Sequence, residues 1–393
     1  MKSLRKTIHL ALFFTLAVYQ ITNAQENKLN PDEFITQFMN DLDLASVSVA
    51  LVRDKEIVWK GAFGKANIKQ DINATTKQLN ALGSVSKLFT GATLLKLYEE
   101  GRLGLDDDVN KYLKFSVRNP KYPNTPITFR MLLTHSSSIG DYQELQDSLY
   151  GTGDPSMSLF DVTTKFFDPK GEFYRPENFL DYEPGSAWKY SNWNFVLIGH
   201  IIEKITGKSF TDYSHEVLLK PLEMNTAGWL LKEVDEDNLV TLYSKDDSGA
   251  KMARNPLYGW PGYSDGNLRA NVEEAANFLI MILNNGSFNG KQILKPETII
   301  EMLGEQGIKN IPEGFLIDMG LVWHIADGSA LGIPNSVYLH SGEPTGTMIN
   351  IVFDQETNSG FVSYITGIKF SSPQDGAKLI PYFKSLLQSS ATM

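Results

Sequence analysis

Ser84-Val-Ser-Lys-Leu-Phe-Thr-Gly-Ala-Thr-Leu-Leu-Lys-Leu-Tyr-Glu-Glu100 reads as one long helix. Leu88, Leu94, Leu95 and Leu97 build its apolar side, and Gly101 stands where a left-handed residue stops a helix. Ser84 opens it. Residues three apart share a helix face, so the Lys87 amine reaches the Ser84 hydroxyl. A serine hydroxyl needs such a neighbouring base before it attacks an acyl carbon, and a helix N-terminus favours the negative charge that then develops. Ser-x-x-Lys occurs four times, at Ser3/Lys6, Ser84/Lys87, Ser186/Lys189 and Ser248/Lys251. The first lies in an N-terminal apolar leader and the last two in Pro-, Gly- and Asp-rich loops, where a spacing of three fixes no geometry. Taken by itself, Ser84/Lys87 also fits a helix-capping serine followed by a solvated lysine.

Two further groups lie outward from it. Tyr190-Ser191-Asn192 directly precedes a helical pattern over 194–205. Its phenol is suited to relaying a proton between Lys87, Ser84 and a leaving group, and the Asn192 amide to binding a substrate carbonyl. His340-Ser341-Gly342 ends a strand-like run. Gly342 admits close approach of backbone or ligand, and the backbone amide of Glu343 is placed to join that of Ser84 as an oxyanion hole.

In order and context the three groups resemble the serine β-lactamase and penicillin-binding-protein superfamily, class C-like branch: Ser-x-x-Lys at a helix start, Tyr-x-Asn before a helix, (Lys/His)-x-Gly on a strand. Leu132-Leu-Thr-His-Ser136, Glu183-Pro-Gly-Ser186 and Tyr263-Ser-Asp-Gly266 with Leu268-Arg269 resemble flanking segments of that family, so the likeness spans roughly residues 30 to 385. The resemblance implies a catalytic set of Ser84 as acylated nucleophile with Lys87 and Tyr190 as the base system, and a substrate-binding set of Asn192, His340, Ser341 and Gly342. Which of Lys87 and Tyr190 takes the proton stays open. His340 stands where class C β-lactamases generally carry lysine, which points toward D-peptidase- and esterase-like relatives. A β-lactamase and a non-catalytic peptidoglycan- or peptide-binding protein remain the alternatives.

The rest of the chain places these groups. Residues 31–44 read as a helix, 46–52 and 57–59 as two strands joined by a turn, and 271–286 as a helix with a capping-box start. Residues 321–325, 337–341, 347–354 and 361–366 read as successive strands and 375–387 as a last helix. Strands at both ends and helices between them predict an α+β fold. Its antiparallel sheet is formed by both chain ends and flanked by helices (25–104 and 226–393), with a mostly helical domain over 105–225 inserted.

Residues 1–24 carry Lys2, Arg5 and Lys6, then a twelve-residue apolar run over Leu10–Ile21, then Thr22-Asn23-Ala24. Basic, apolar, small is the order of a secretory signal, and the run is too short to span a bilayer, which takes ~20 residues. A periplasmic or secreted protein is expected, with no stable membrane insertion once the signal is removed. Without the leader's three basic residues the formal charge moves from −10 to −13, an acidic balance that disfavours nucleic acid. Zero cysteines exclude disulfides, a thiol nucleophile and thiolate metal sites. The expected partner is a small-molecule or short peptide substrate. No cofactor and no metal are expected, since His215-Glu216 has no second histidine four residues on. Gly262-Tyr-Ser264-Asp-Gly266 matches the nucleophile-elbow pattern but lacks the preceding strand and following helix which that motif needs.

Overall fold

A computed structural model of the chain describes residues 30–312, 316–369 and 377–393. The leader read at 1–24 and the first residues of the expected last helix, 375 and 376, lie outside the described residues.

The sheet is built from the two ends of the chain. Near the start run β1 (Ser46–Arg53), β2 (Glu56–Asn67) and β3 (Ile72–Asn73). Near the end run β4 (Leu316–Met319), β5 (His324–Asp327), β6 (Ser336–Gly342), β7 (Thr347–Asp354) and β8 (Ser359–Thr366). Their order in the eight-stranded antiparallel sheet is β4-β5-β6-β7-β8-β1-β2-β3. The seam between the ends pairs β1 with β8, from Ser46 opposite Thr366 to Arg53 opposite Ser359.

Both faces of the sheet are covered, so β1, β7 and β8 are buried almost throughout. Val47, Val49 and Leu51 point to one face, where α1 (Pro31–Leu42) and α5 (Leu379–Thr392) pack. Ala50 and Val52 point to the other, against α4 (Val272–Leu283) and the buried helix α2 (Ser86–Glu99). This second apolar layer runs on through Val109 into α3 (Trp193–Thr206), so the helical segment and the sheet share one core. The expected capping box is present: Asn271 Oδ1 accepts from Glu274 N–H at 2.9 Å. Gly101, at φ +69°, ends α2 as its spacing predicts.

Two expectations are corrected. The helix expected from Ser84 begins at Ser86, and Gly83–Val85 form a tighter 3₁₀ turn ahead of it. The apolar run 321–325 is a strand only from His324. Val322 is left-handed at φ +75°, and its N–H donates to Leu133 O at 3.0 Å. Leu321, Val322 and Trp323 thus form a buried tie between sheet and helical segment. A short apolar run does not separate these outcomes, because burial makes both equally apolar.

Candidate active site

The Ser84 turn is held to a distant segment. Asn80 and Ala81 pair with Ala270 and Arg269. Leu82 N–H donates to Leu268 O at 2.8 Å, and Leu268 N–H to Ser86 Oγ at 3.1 Å. These bonds bring residues 264–268 under the start of α2. Ser84 itself is half-buried.

Lys87 is fully buried. Its Nζ donates to Ser84 Oγ at 3.1 Å and to Asp265 O at 2.9 Å, with Asp265 Oδ2 at 3.6 Å. Burial alone would lower its pKa, but Tyr190, Asp265 and Asp141 favour the ammonium, and the net shift is upward. Asp265 also accepts from Trp260 Nε1 at 2.8 Å. Burial pushes its carboxyl up to about 6 against the pull of Lys87, so it is mostly ionised at neutral pH.

Tyr190 stands beside both. Lys87 Nζ lies 5.2 Å from its ring centroid. Its hydroxyl is buried without a hydrogen-bond partner, yet near enough to Ser84 and Lys87 that both oppose the rise burial imposes on its pKa. Asn192 begins α3 with its side chain turned to Asp141: Nδ2 donates to Asp141 Oδ2 at 3.2 Å and to Gln146 Oε1 at 3.3 Å. Asp141 Oδ1 further accepts from Asn192 N–H at 2.7 Å and Ser191 Oγ–H at 3.1 Å. A substrate carbonyl must therefore compete with Asp141 and Gln146 for the Asn192 amide.

The third group closes the site from the sheet. β6 is an interior strand, but its pairing with β5 ends at Leu339, so 340–342 present a free edge to the Ser84 turn. The approach is close enough to require glycine: a Cβ on Gly342 would sit 2.0 Å from Leu82 O and 2.9 Å from Ser84 N. Across the contact, a Cβ on Gly83 would sit 3.1 Å from Glu343 N. The Ser84 and Glu343 amides thus flank the same junction, the arrangement an oxyanion hole needs. The Glu343 side chain is exposed.

His340 lies on the face of β6 that looks toward α2, opposite Ile351. It is buried, and its ring stacks on His324 at 4.9 Å between centroids. Burial, then the charges of His324 and Lys87, hold it well below the ordinary imidazole pKa. Ser341 is a correction. Successive strand residues point to opposite faces, so its hydroxyl donates to Asn350 Oδ1 at 2.8 Å beneath α5, on the far side of the sheet from Ser84. It does not belong to the substrate-binding set.

The structure thus brings Ser84, Lys87, Tyr190, Asn192, His340, Gly342 and Glu343 together and leaves Ser341 out. Four residues of this neighbourhood receive no role from the sequence, Asp265, Asp141, His135 and His324, although Asp265 and His135 lie in segments that carry the family resemblance. Asp265 sits inside the apparent elbow motif 262–266. There Ser264 is fully buried and donates to Phe195 O at 2.9 Å, which leaves it no nucleophile's role. Among the described residues, no group of three or more His, Cys, Asp or Glu is arranged to hold a metal ion.

A family model described as Beta-lactamase matches residues 31–380. The chain belongs to the beta-lactamase family. It is similar to protein flp of Staphylococcus aureus strain MRSA252, at 24% identity over 346 residues, which cover 88% of this chain and 61% of that protein. The chain thus spans under two thirds of the length of that relative. Among solved structures it is similar to D-amino acid amidase from Ochrobactrum anthropi SV3, with a TM-score of 0.72 at 20% identity, covering 91% of this chain and 98% of that one. It is also similar to the octameric penicillin-binding protein homologue from Pyrococcus abyssi, with a TM-score of 0.69 at 24% identity, covering 90% and 76%. At those identities the likeness to the two structures is one of fold.

Proposed function

We propose that the protein is an exported acyl hydrolase that cleaves an amide or ester bond through a Ser84 acyl-enzyme, with D-peptidase- or esterase-like specificity. The observation that carries this is the fully buried Lys87 amine, 3.1 Å from Ser84 Oγ and held by Asp265, with Tyr190 alongside. Ser84 Oγ attacks the acyl carbon. Its proton passes to the Lys87–Tyr190 pair in the form that has already lost one proton to solvent, the pair titrating as a unit. The Ser84 and Glu343 amides carry the oxyanion. The pair then protonates the leaving amine or alcohol, and water attacks the acyl-enzyme by the same route in reverse, releasing the acid. The basic, apolar, small order of residues 2–24 supports export, and the D-amino acid amidase fold likeness supports an amide substrate.

A neutral, buried imidazole at the third motif argues against β-lactams as the preferred substrate. It offers no fixed cation for a substrate carboxylate, whereas a lysine there would carry a full charge. Intact-protein mass spectrometry after incubation with a fluorophosphonate or a fluorescent penicillin tests the acyl-enzyme. One covalent adduct on Ser84 is expected; no adduct, or one on Ser264, overturns it. Comparison of p-nitrophenyl esters with D-Ala-D-Ala peptides and penicillins then ranks the substrates, and a kcat/KM for penicillins above that for simple neutral esters refutes the specificity argument.

A further inference from the structure

His135 lies in the Leu132–Ser136 segment and has no part in the chemistry above, yet it is fully buried beside it. Its backbone is left-handed at φ +56°, a conformation that costs a non-glycine residue free energy and persists where the surroundings enforce it. Beyond the bond from its own N–H to Leu132 O at 3.3 Å, the polar contacts lead to one segment. His135 O accepts from Lys189 N–H at 2.8 Å. His135 Nδ1 accepts from Ser191 N–H at 3.1 Å and faces Asn194 Nδ2 at 3.3 Å. Asn194 Oδ1 is already taken by the Ser137 hydroxyl at 2.7 Å, so its amide nitrogen is the end that points to the ring. A ring nitrogen that accepts two donors carries no hydrogen, so the neutral imidazole holds its proton on Nε2. Between the bonded positions 189 and 191 sits Tyr190, whose ring stacks on His135 at 4.2 Å with 28° between the planes.

We propose that His135 is a positioning residue for Tyr190: bonds on both sides of the tyrosine and the stacked imidazole face fix where the phenol stands relative to Ser84 and Lys87. A misplacement of the order of 1 Å in a proton-relay group lowers the rate by about 100-fold while substrate binding is little affected. This rests on the Ser84 acyl-enzyme reading, and it adds that the Leu132–Ser136 segment acts on the reaction through Tyr190.

The test is a double-mutant cycle on the full chain with p-nitrophenyl acetate as substrate and fluorophosphonate labelling as a second readout. His135→Asn keeps a side-chain acceptor and tolerates the left-handed backbone but removes the stacking face; His135→Phe keeps a flat face and removes the acceptor. Each is expected to lower kcat by about 100-fold with KM within about threefold. In a Tyr190→Phe background the same changes should cost almost nothing further, because the group they position is gone. Unchanged kcat in the single variants, or losses that multiply in the double variants, overturns the proposal. Should the variants fail to fold, ¹⁵N-histidine NMR of the wild type decides. A His135 ring with its proton on Nε2 and no titration from about pH 5.5 to 8.5 is expected; an Nδ1–H ring, or one that titrates there, overturns it. An unlabelled wild type would remove the acyl-enzyme and this proposal together, whereas a labelled wild type with unimpaired His135 variants removes this one alone.

Discussion

At the scale of single residues, the site is a buried amine surrounded by groups that keep it charged. Asp265 is one of them, and its removal has a definite sign. Asp265→Asn withdraws a negative charge that raises the Lys87 pKa, so the rise of kcat/KM with pH should shift to lower pH. Since Lys87 and Tyr190 are both raised, the wild-type rate should climb from neutral into alkaline pH; a profile flat from about pH 6 to 9 would contradict this. Ser84→Ala should abolish labelling with a change in stability within about 1 kcal/mol, for the half-buried hydroxyl leaves little cavity; calorimetry and labelling together check it. His340→Lys is a different matter. The position is buried against His324 and near Lys87, so a second ammonium there is expected to destabilise the fold by about 3–5 kcal/mol rather than recruit carboxylate substrates. A variant of wild-type Tm would refute that. Ser84, Lys87, Tyr190 and His340 are legible from motif and spacing. Asp265 is not, because its partner Lys87 lies 178 positions away and nothing local marks a buried aspartate. Ser341 is the opposite case: the period of two that identifies its strand already forbids it from sharing a face with His340.

At the scale of elements, the junction between the Ser84 turn and the free end of β6 decides whether the two oxyanion amides meet. Gly342→Ala places a methyl 2.0 Å from Leu82 O, and backbone on both sides leaves it nowhere to go. We expect a loss of about 1–3 kcal/mol in stability from overpacking, with fluorophosphonate labelling slowed by far more than that loss explains, since the turn and strand are forced apart. Labelling at the wild-type rate would show the junction to be dispensable. The helices read well from the sequence because caps and stops are local: Asn271 with Glu274, and Gly101, act where their chemistry predicts. The segment before β5 does not, because the bond from Val322 to Leu133 that fixes it is a tertiary one.

At the scale of the whole molecule, both-ends sheet and helical middle follow from the hydrophobic pattern, while the order of the eight strands does not, since alternation says nothing of neighbours. The buried histidines give the molecule an acid limit. His324 and His200 are lowered to about 4, mainly by burial, and His135 and His340 are also lowered. Each takes up a proton in the unfolded chain before it does so in the folded one, so stability is intact above about pH 6.5 and is lost as pH falls toward 4. Asp265, raised to about 6, and Asp141, Glu203 and Glu343, also raised by burial, work against this, each gaining stability as it is protonated. The histidine contribution is a fall in Tm between pH 7 and 4.5, set against that gain. His200→Leu, remote from the site and packed against Phe115 and Phe160, should flatten the slope and leave labelling unchanged; an unaltered slope would remove His200 from the account.

The seam of the sheet also sets a clock. Ser46 is paired with Thr366, 320 positions later. A ribosome adding ~5–20 residues per second needs roughly 15–65 s to cover that interval. Throughout it β1 lacks its β8 neighbour and exposes an apolar strand with one unsatisfied edge. Long-range strand pairing is slow to form even when both partners are present. A chain whose central strand cannot be completed until β8 has been made stays open for most of its synthesis.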